Sequence, residues 1–377
     1  MKIKQKKPWN RRTPAQQRAR AYQIIGGLIW VALPIAGIAS ICAYGAADVE
    51  DEIPAADAVT SLQETADEAL STETFGRDAV LSLVSDSVSA MGGFQLGEVY
   101  LADDRLLEVP EALDTEALLN TAEQVNALYA EYQIPMCIIA VPAATEFYAD
   151  TLDGVAVTSQ LEDIDLFYQA MDTSVRTIDV YHTLYTMTDN YIYNRTDPRW
   201  TAYGSYCVYR VAIQKMGFSP VSFDQYTVSH VDTYRGSLYD ACLCDQVTAD
   251  TLDVYLCESG VEITSMIAYT EDDAEERELY EEYSGSDPYA YYLGEDCAQL
   301  IIETDVGNDK TLLILKDSYA DCMIPFFIQH YSEICVVDIT CLEQDLTELV
   351  DMSAYQQVLV VCDADTFTDA EAFSHIY

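Results

Sequence analysis

Histidine is scarce in this chain: there are four in 377 residues, at positions 182, 230, 330 and 375. Any chemistry that needs an imidazole base must therefore use one of these. Basic residues are nearly as sparse. Eight of the 19 lysines and arginines fall within the first 20 residues, and all 64 aspartates and glutamates lie at or after Asp48. So one-sided a charge repels phosphate backbones, which excludes nucleic acid as a partner. No stretch has the Asp-x-Asp-x-Asp-Gly spacing of a calcium loop, and no Cys-x2-Cys units pair with histidine, so no metal site is expected. No internal repeat or low-complexity tract stands out. The eleven cysteines do not form the dense framework of a small secreted domain. Cys137, Cys335 and Cys362 fall inside apolar runs, and the cysteines are expected to be mostly reduced.

From Ala21 to Ala47 there is no charged residue at all. That length exceeds the ~20 apolar residues that span a bilayer. With basic residues 1–20 before it, the segment reads as an uncleaved anchor whose N-terminal tail stays in the cytoplasm and whose remainder lies outside the cell. Residues 48–74 contain no aromatic and read as an acidic stalk. A domain follows from 75 to 377.

Within it, Val99–Leu101 and Arg105–Leu107 suggest a hairpin. Thr115–Tyr132 has helical spacing, and Met136–Val141 is a buried strand. A helix runs from Thr201, its N-cap, to Met216, with Gly217 beyond its end. Residues 219–290 read as a small β-rich insertion or side sheet. The region 311–339 organises the rest: an apolar strand, Leu312–Leu315, ends at Lys316-Asp317-Ser318. An apolar, helix-like stretch broken by Pro325 follows, and then a second strand, Ile334–Ile339. Alternating strands and helices call for a parallel α/β sheet covered on both faces. Ser318 then sits beyond a strand's carboxyl end, where ligands gather and where a following helix would offer N–H groups. A serine there is either a nucleophile or an N-cap. His182, in Asp179-Val-Tyr-His182, has the better address for its base; His330 fits a helix end. The polar run Arg195-Thr-Asp197-Pro-Arg199-Trp200 has more charge than packing requires.

That run, in YIYNRTDPRWTAYGSYCVYR, resembles the signature of the DHHW protein family, named for Asp-His-His-Trp. Tyr234-Arg-Gly236-Ser-Leu-Tyr239, Asp287-Pro-Tyr-Ala-Tyr-Tyr-Leu-Gly294 and the whole Leu312–Asp338 segment fit the same family's order, over roughly residues 75–365. The resemblance implies an SGNH-hydrolase-like α/β/α sandwich outside the membrane, related to alginate O-acetyltransferases and acting on O-acyl groups of surface polysaccharide without a cofactor. It assigns the nucleophile to Ser318 and the orienting acid to Asp197. Lys316, Asp317, Arg199, Trp200, Gly294 and Asp296 fall on its substrate-binding side. Where the family has its histidines, this chain has Pro198 and Arg199, and Gly294 is followed by Glu295-Asp296-Cys297 rather than by the oxyanion-stabilising Asn. Arginine is always protonated and offers only donors. Two readings follow: a surface module that binds glycan or assembles with a membrane-bound acyl-transfer protein, its fixed Arg199 free to hold an anion; or an active serine O-acetyltransferase or esterase using His182.

Overall fold

The computed structural model describes residues 98–152, 155–257, 260–270, 273–280 and 287–377, together with residues 81, 82, 85, 95 and 96. The expected basic tail (1–20), membrane anchor (21–47) and stalk (48–74) lie outside the described residues. Among the described residues, no helix is long and apolar enough to cross a membrane. The chain divides into two compact units. Residues 1–97 with 242–244 form one, whose described part includes the two-residue strand β1 (Gln95–Leu96). Residues 98–241 with 245–377 form the other.

The second unit opens with the expected hairpin, β2 (Val99–Ala102) against β3 (Arg105–Glu108). The helix α1 (Thr115–Tyr132) follows. Asp114 caps its start by accepting from the Glu116 and Ala117 amides, and Gln133 ends it in the left-handed region. Then come β4 (Met136–Val141), α2 (Leu161–Ala170), β5 (Arg176–Thr177) and α3 (Ala202–Lys215). Thr201 caps α3 by accepting from the Gly204 amide at 3.1 Å, and Gly217 ends it at φ +94°, both as the sequence predicts.

An antiparallel pair, β6 (Tyr226–Tyr234) and β7 (Asp250–Cys257), stands apart from the main sheet. The remaining strands are β8 (Ile263–Tyr269), β9 (Ala274–Glu276), β10 (Gln299–Thr304), β11 (Thr311–Lys316), β12 (Glu333–Asp338) and β13 (Gln357–Asp363). With β4 and β5 they build one eight-stranded sheet in the order β5-β4-β13-β11-β12-β10-β8-β9. The first five strands run parallel; β10, β8 and β9 extend the sheet antiparallel. The stretch 219–290 is therefore not one side sheet, because β8 and β9 hydrogen-bond into the main one. Their partner β10 lies beyond the stretch, so nothing local announces the pairing.

The central strands are apolar nearly throughout because both their faces are covered. Ile139, Leu312, Ile314, Val336 and Leu359 point into a core shared with α3. Their neighbours Ile138, Leu313, Leu315, Val337 and Val360 point into a core shared with α1 and α2.

The crossover from β11 to β12 differs from expectation. In place of a broken helix there is a 3₁₀ turn, Ser318–Ala320, and a four-residue helix, Ile324–Phe327, with Pro325 in its first turn. Residues 319 to 328 are all buried, so this apolar chain is packed on every side. No sustained helix begins behind Ser318 to present amides to an anion.

Candidate active site

Ser318 is the first residue after the β11 strand end to leave the core, and it is half-buried. Asp317 before it is buried and fully engaged. Its carboxylate accepts from the Tyr319 amide (2.9 Å), the Asp363 amide (2.7 Å) and Thr366 Oγ1 (2.8 Å), tying the turn to the carboxyl end of β13. Burial pushes its pKa up to about 6. Asp317 is a strut of the turn rather than a substrate ligand.

The Asp197–Trp200 segment meets this turn from the far side of the chain. Trp200 Nε1 donates to the Tyr319 carbonyl at 2.5 Å, and Tyr319 Oη donates to the Pro198 carbonyl at 3.2 Å. The two sequence-predicted elements therefore converge, and Trp200, fully buried, serves as the pin between them.

Arg199 is not a free cation. Its Nε and Nη2 donate to the two oxygens of Asp197, both at 2.8 Å, and its Nη1 and Nη2 donate to Asp287 at 2.9 and 2.8 Å. Four of the five N–H donors of a guanidinium are thus taken. The guanidinium also lies 3.7 Å from the centre of the Tyr289 ring. Burial works against its charge, but the hydrogen bonds and charge of Asp197, joined by Asp287, outweigh it and raise its pKa. Burial likewise works to raise the pKa of Asp287, and Arg199 overcomes it and lowers that pKa. In so acidic a domain a buried guanidinium collects carboxylates from the protein before any ligand arrives, which corrects the expectation that Arg199 is open to an anion.

Asp197 is held in turn. Its Oδ1 accepts from the Arg199 amide at 3.0 Å, and a Cβ on Gly236 would fall 2.4 Å from its own Cβ, so only glycine fits there. Behind it, Asp250 on β7 is buried and accepts from Tyr191 Oη, the Arg195 amide, and the amide and hydroxyl of Thr196. The β6–β7 pair therefore buttresses the loop that carries Asp197.

Lys316 occupies a second buried cluster. Its Nζ lies 2.8 Å from Asp321 Oδ1 and 2.5 Å from Asp338 Oδ2. Burial alone would neutralise Lys316, yet the two carboxylates raise its pKa. Asp321 is the carboxylate that yields, pushed by burial up to about 7. Asp296, also raised chiefly by burial, lines the same small recess with Gly294, Cys297 and Arg277. Gly294 sits at φ +90°, and a Cβ there would approach Arg277 Nη1 at 2.9 Å. Lys316 is thus spoken for by the protein, as Arg199 is.

The structure does not bring a histidine to Ser318. His182 is exposed, its Nδ1 2.6 Å from Asp179 Oδ2. His330 is buried, hydrogen-bonded to Tyr209 Oη at 2.6 Å, and burial lowers its pKa to about 4, so it is a neutral core residue. Among the described residues, no side chain hydrogen-bonds to Ser318 Oγ, and no cluster has the makings of a metal site. The residues that sequence reasoning missed are Asp250, Asp287, Asp321 and Asp338. Asp287 opened a recognised motif without a role, and the other three carry no spacing signal linking them to their partners.

A comparison with curated proteins finds no relative. Among solved structures, the chain is similar to a DHHW family protein from Eubacterium siraeum, with 22% identity over 75% of this chain and 97% of that one at a TM-score of 0.67. It is also similar to Bacillus cereus PatB1, solved with a sulfonyl adduct, at 18% identity over 74% of this chain and 98% of that one, TM-score 0.61. Both likenesses are of fold, a mixed α/β architecture around a large, mainly parallel sheet. The family model described as DHHW protein matches residues 55–337, most of the chain, and the chain therefore belongs to the DHHW protein family.

Proposed function

We propose that this chain is an SGNH-hydrolase-like module of surface-polysaccharide O-acetylation that binds glycan without itself turning over an acyl-serine. It works outside the cell on an anchor within residues 21–47, beside a membrane-bound acyl-transfer protein. One observation carries the reading: the carboxylate that would orient a catalytic imidazole is taken up by Arg199, which cannot accept the Ser318 proton. Two further features support it. Asp296 stands where the family's oxyanion donor is expected, and a carboxylate repels a developing oxyanion. His182, the other base considered, lies exposed at the surface, and among the described residues no hydrogen bond links it to Ser318.

The test is labelling of the full-length protein with a sulfonyl fluoride, alongside hydrolysis of a small acetyl ester. Neither should exceed the Ser318→Ala background. Arg199→His places an imidazole two residues after Asp197 and should raise turnover in a Ser318-dependent way. Rescue should be partial, since a missing oxyanion donor costs ~10²-fold or more. Brisk Ser318-dependent hydrolysis by the unmodified chain would overturn the proposal in favour of an active serine O-acetyltransferase or esterase, with His182→Ala as the next variant.

A further inference from the structure

Beside the Ser318 turn lies a cavity of about 250 Å³ that the site above does not use. Its lining comes from Leu107, Glu108 and Pro110 at and after the end of β3, Ala143 and Ala144 just past β4, Pro198, Leu238 and Tyr319, and Asp363 and Asp365 at the end of β13. Two of these residues, Pro198 and Tyr319, share one of the two hydrogen bonds that join the motif segments. The volume is below the roughly 300–1,000 Å³ of pockets for drug-sized ligands, which sets the scale at a single sugar ring. The aliphatic wall and the tyrosine suit a pyranose.

The charge of the lining is one-sided. Its ionisable groups other than Tyr319 are Glu108, Asp363 and Asp365, and no lysine, arginine or histidine joins them. This is unlike the neighbouring clusters, where Asp197 and Asp287 share Arg199, and Asp321 and Asp338 share Lys316. The cavity carboxylates have only neutral partners: Asp363 accepts from the Asp365 and Thr366 amides, and Asp365 from Gln160 Nε2. Burial, with like charges nearby, raises the pKa of Glu108 and of Asp363. A cation entering the cavity would relieve that crowding.

We infer that this cavity binds an amino sugar with a free ammonium group, so that the module selects de-N-acetylated stretches of its glycan. The inference rests on the reading of the cleft as a glycan site.

Calorimetry on the full-length protein in detergent, at pH 7 and physiological salt, would compare a β-1,4-glucosamine trisaccharide with its N-acetylated counterpart. The amine form should bind at least ~10-fold more tightly, about 1.4 kcal/mol. Glu108→Gln with Asp365→Asn should erase that preference. Ala143→Phe fills the cavity without altering charge and should abolish binding, with Pro110→Phe in its place if that variant does not fold. Equal binding of both trisaccharides would overturn the amine selectivity while leaving the glycan reading intact. Amine binding that survives a folded cavity-filling variant would place it on the general acidic surface and refute the site. If neither trisaccharide binds, the inference fails, while the ester and sulfonyl assays still judge the proposed function separately.

Discussion

Replacing Arg199 with methionine keeps much of the side-chain volume and removes the charge. The consequence differs for its two partners. The Asp197 side chain is 0% exposed, whereas that of Asp287 is 46% exposed. Asp287 can turn to water, so its half of the clamp is worth under ~1 kcal/mol. Asp197 cannot, because Gly236 lies against it and its remaining donor is one backbone amide. Stranding one member of a buried pair costs about 3–5 kcal/mol. At roughly 2 °C per kcal/mol for a domain of this size, the melting temperature should drop by about 6–10 °C. Asp197→Asn combined with Arg199→Met should recover a good part, since the stranded charge is then gone. Asp287→Asn alone should shift the melt little. Thermal and urea unfolding of the three variants read this directly. A loss below ~1 kcal/mol for Arg199→Met, or a double variant no better than the single, would refute the claim that Arg199 is a structural clamp committed to Asp197.

Asp250→Ala leaves several buried donors without an acceptor, at ~1–3 kcal/mol each. It should destabilise the protein by several kcal/mol in urea titration, with Asp250→Asn milder. Gly236→Ala drives a methyl into Asp197 and should cost about 1–3 kcal/mol by the same measurement. Stability should rise as the pH falls from about 7.5 to 5. Asp321 and Asp317 have folded pKa values raised to about 7 and about 6, so the folded state binds protons there that the unfolded state does not. Asp321→Asn should flatten the upper part of that slope. Asp287 acts oppositely: its lowered pKa contributes stability that is lost only as the pH falls below the usual carboxylate range. Protease added to intact cells should remove the domain, and protection of residues beyond 60 would refute the proposed topology.

The strands that carry the site were legible because their order is written locally. Leu312–Leu315 and Met136–Val141 are apolar at every position, which only a strand covered on both faces requires. The caps of α3 were legible for a similar reason, since a cap lies within three residues of what it satisfies. The approach of the Pro198–Trp200 segment to the Ser318 turn was available only through the resemblance, because the hydrogen bonds that join them span 119 and 121 positions. Tertiary structure alone decided three things. The segment after Ser318 is not a long helix: it is apolar all round and is packed as short turns. β8 and β9 belong to the main sheet, because β pairing is non-local. Above all, Arg199 and Lys316 are neutralised. From the sequence, an isolated cation in an acidic domain reads as a ligand hook. Once the fold brings Asp287 to one and Asp321 and Asp338 to the other, their donors go to the nearest buried carboxylates. An unpaired charge in the interior costs far more than any loop needs to close around it.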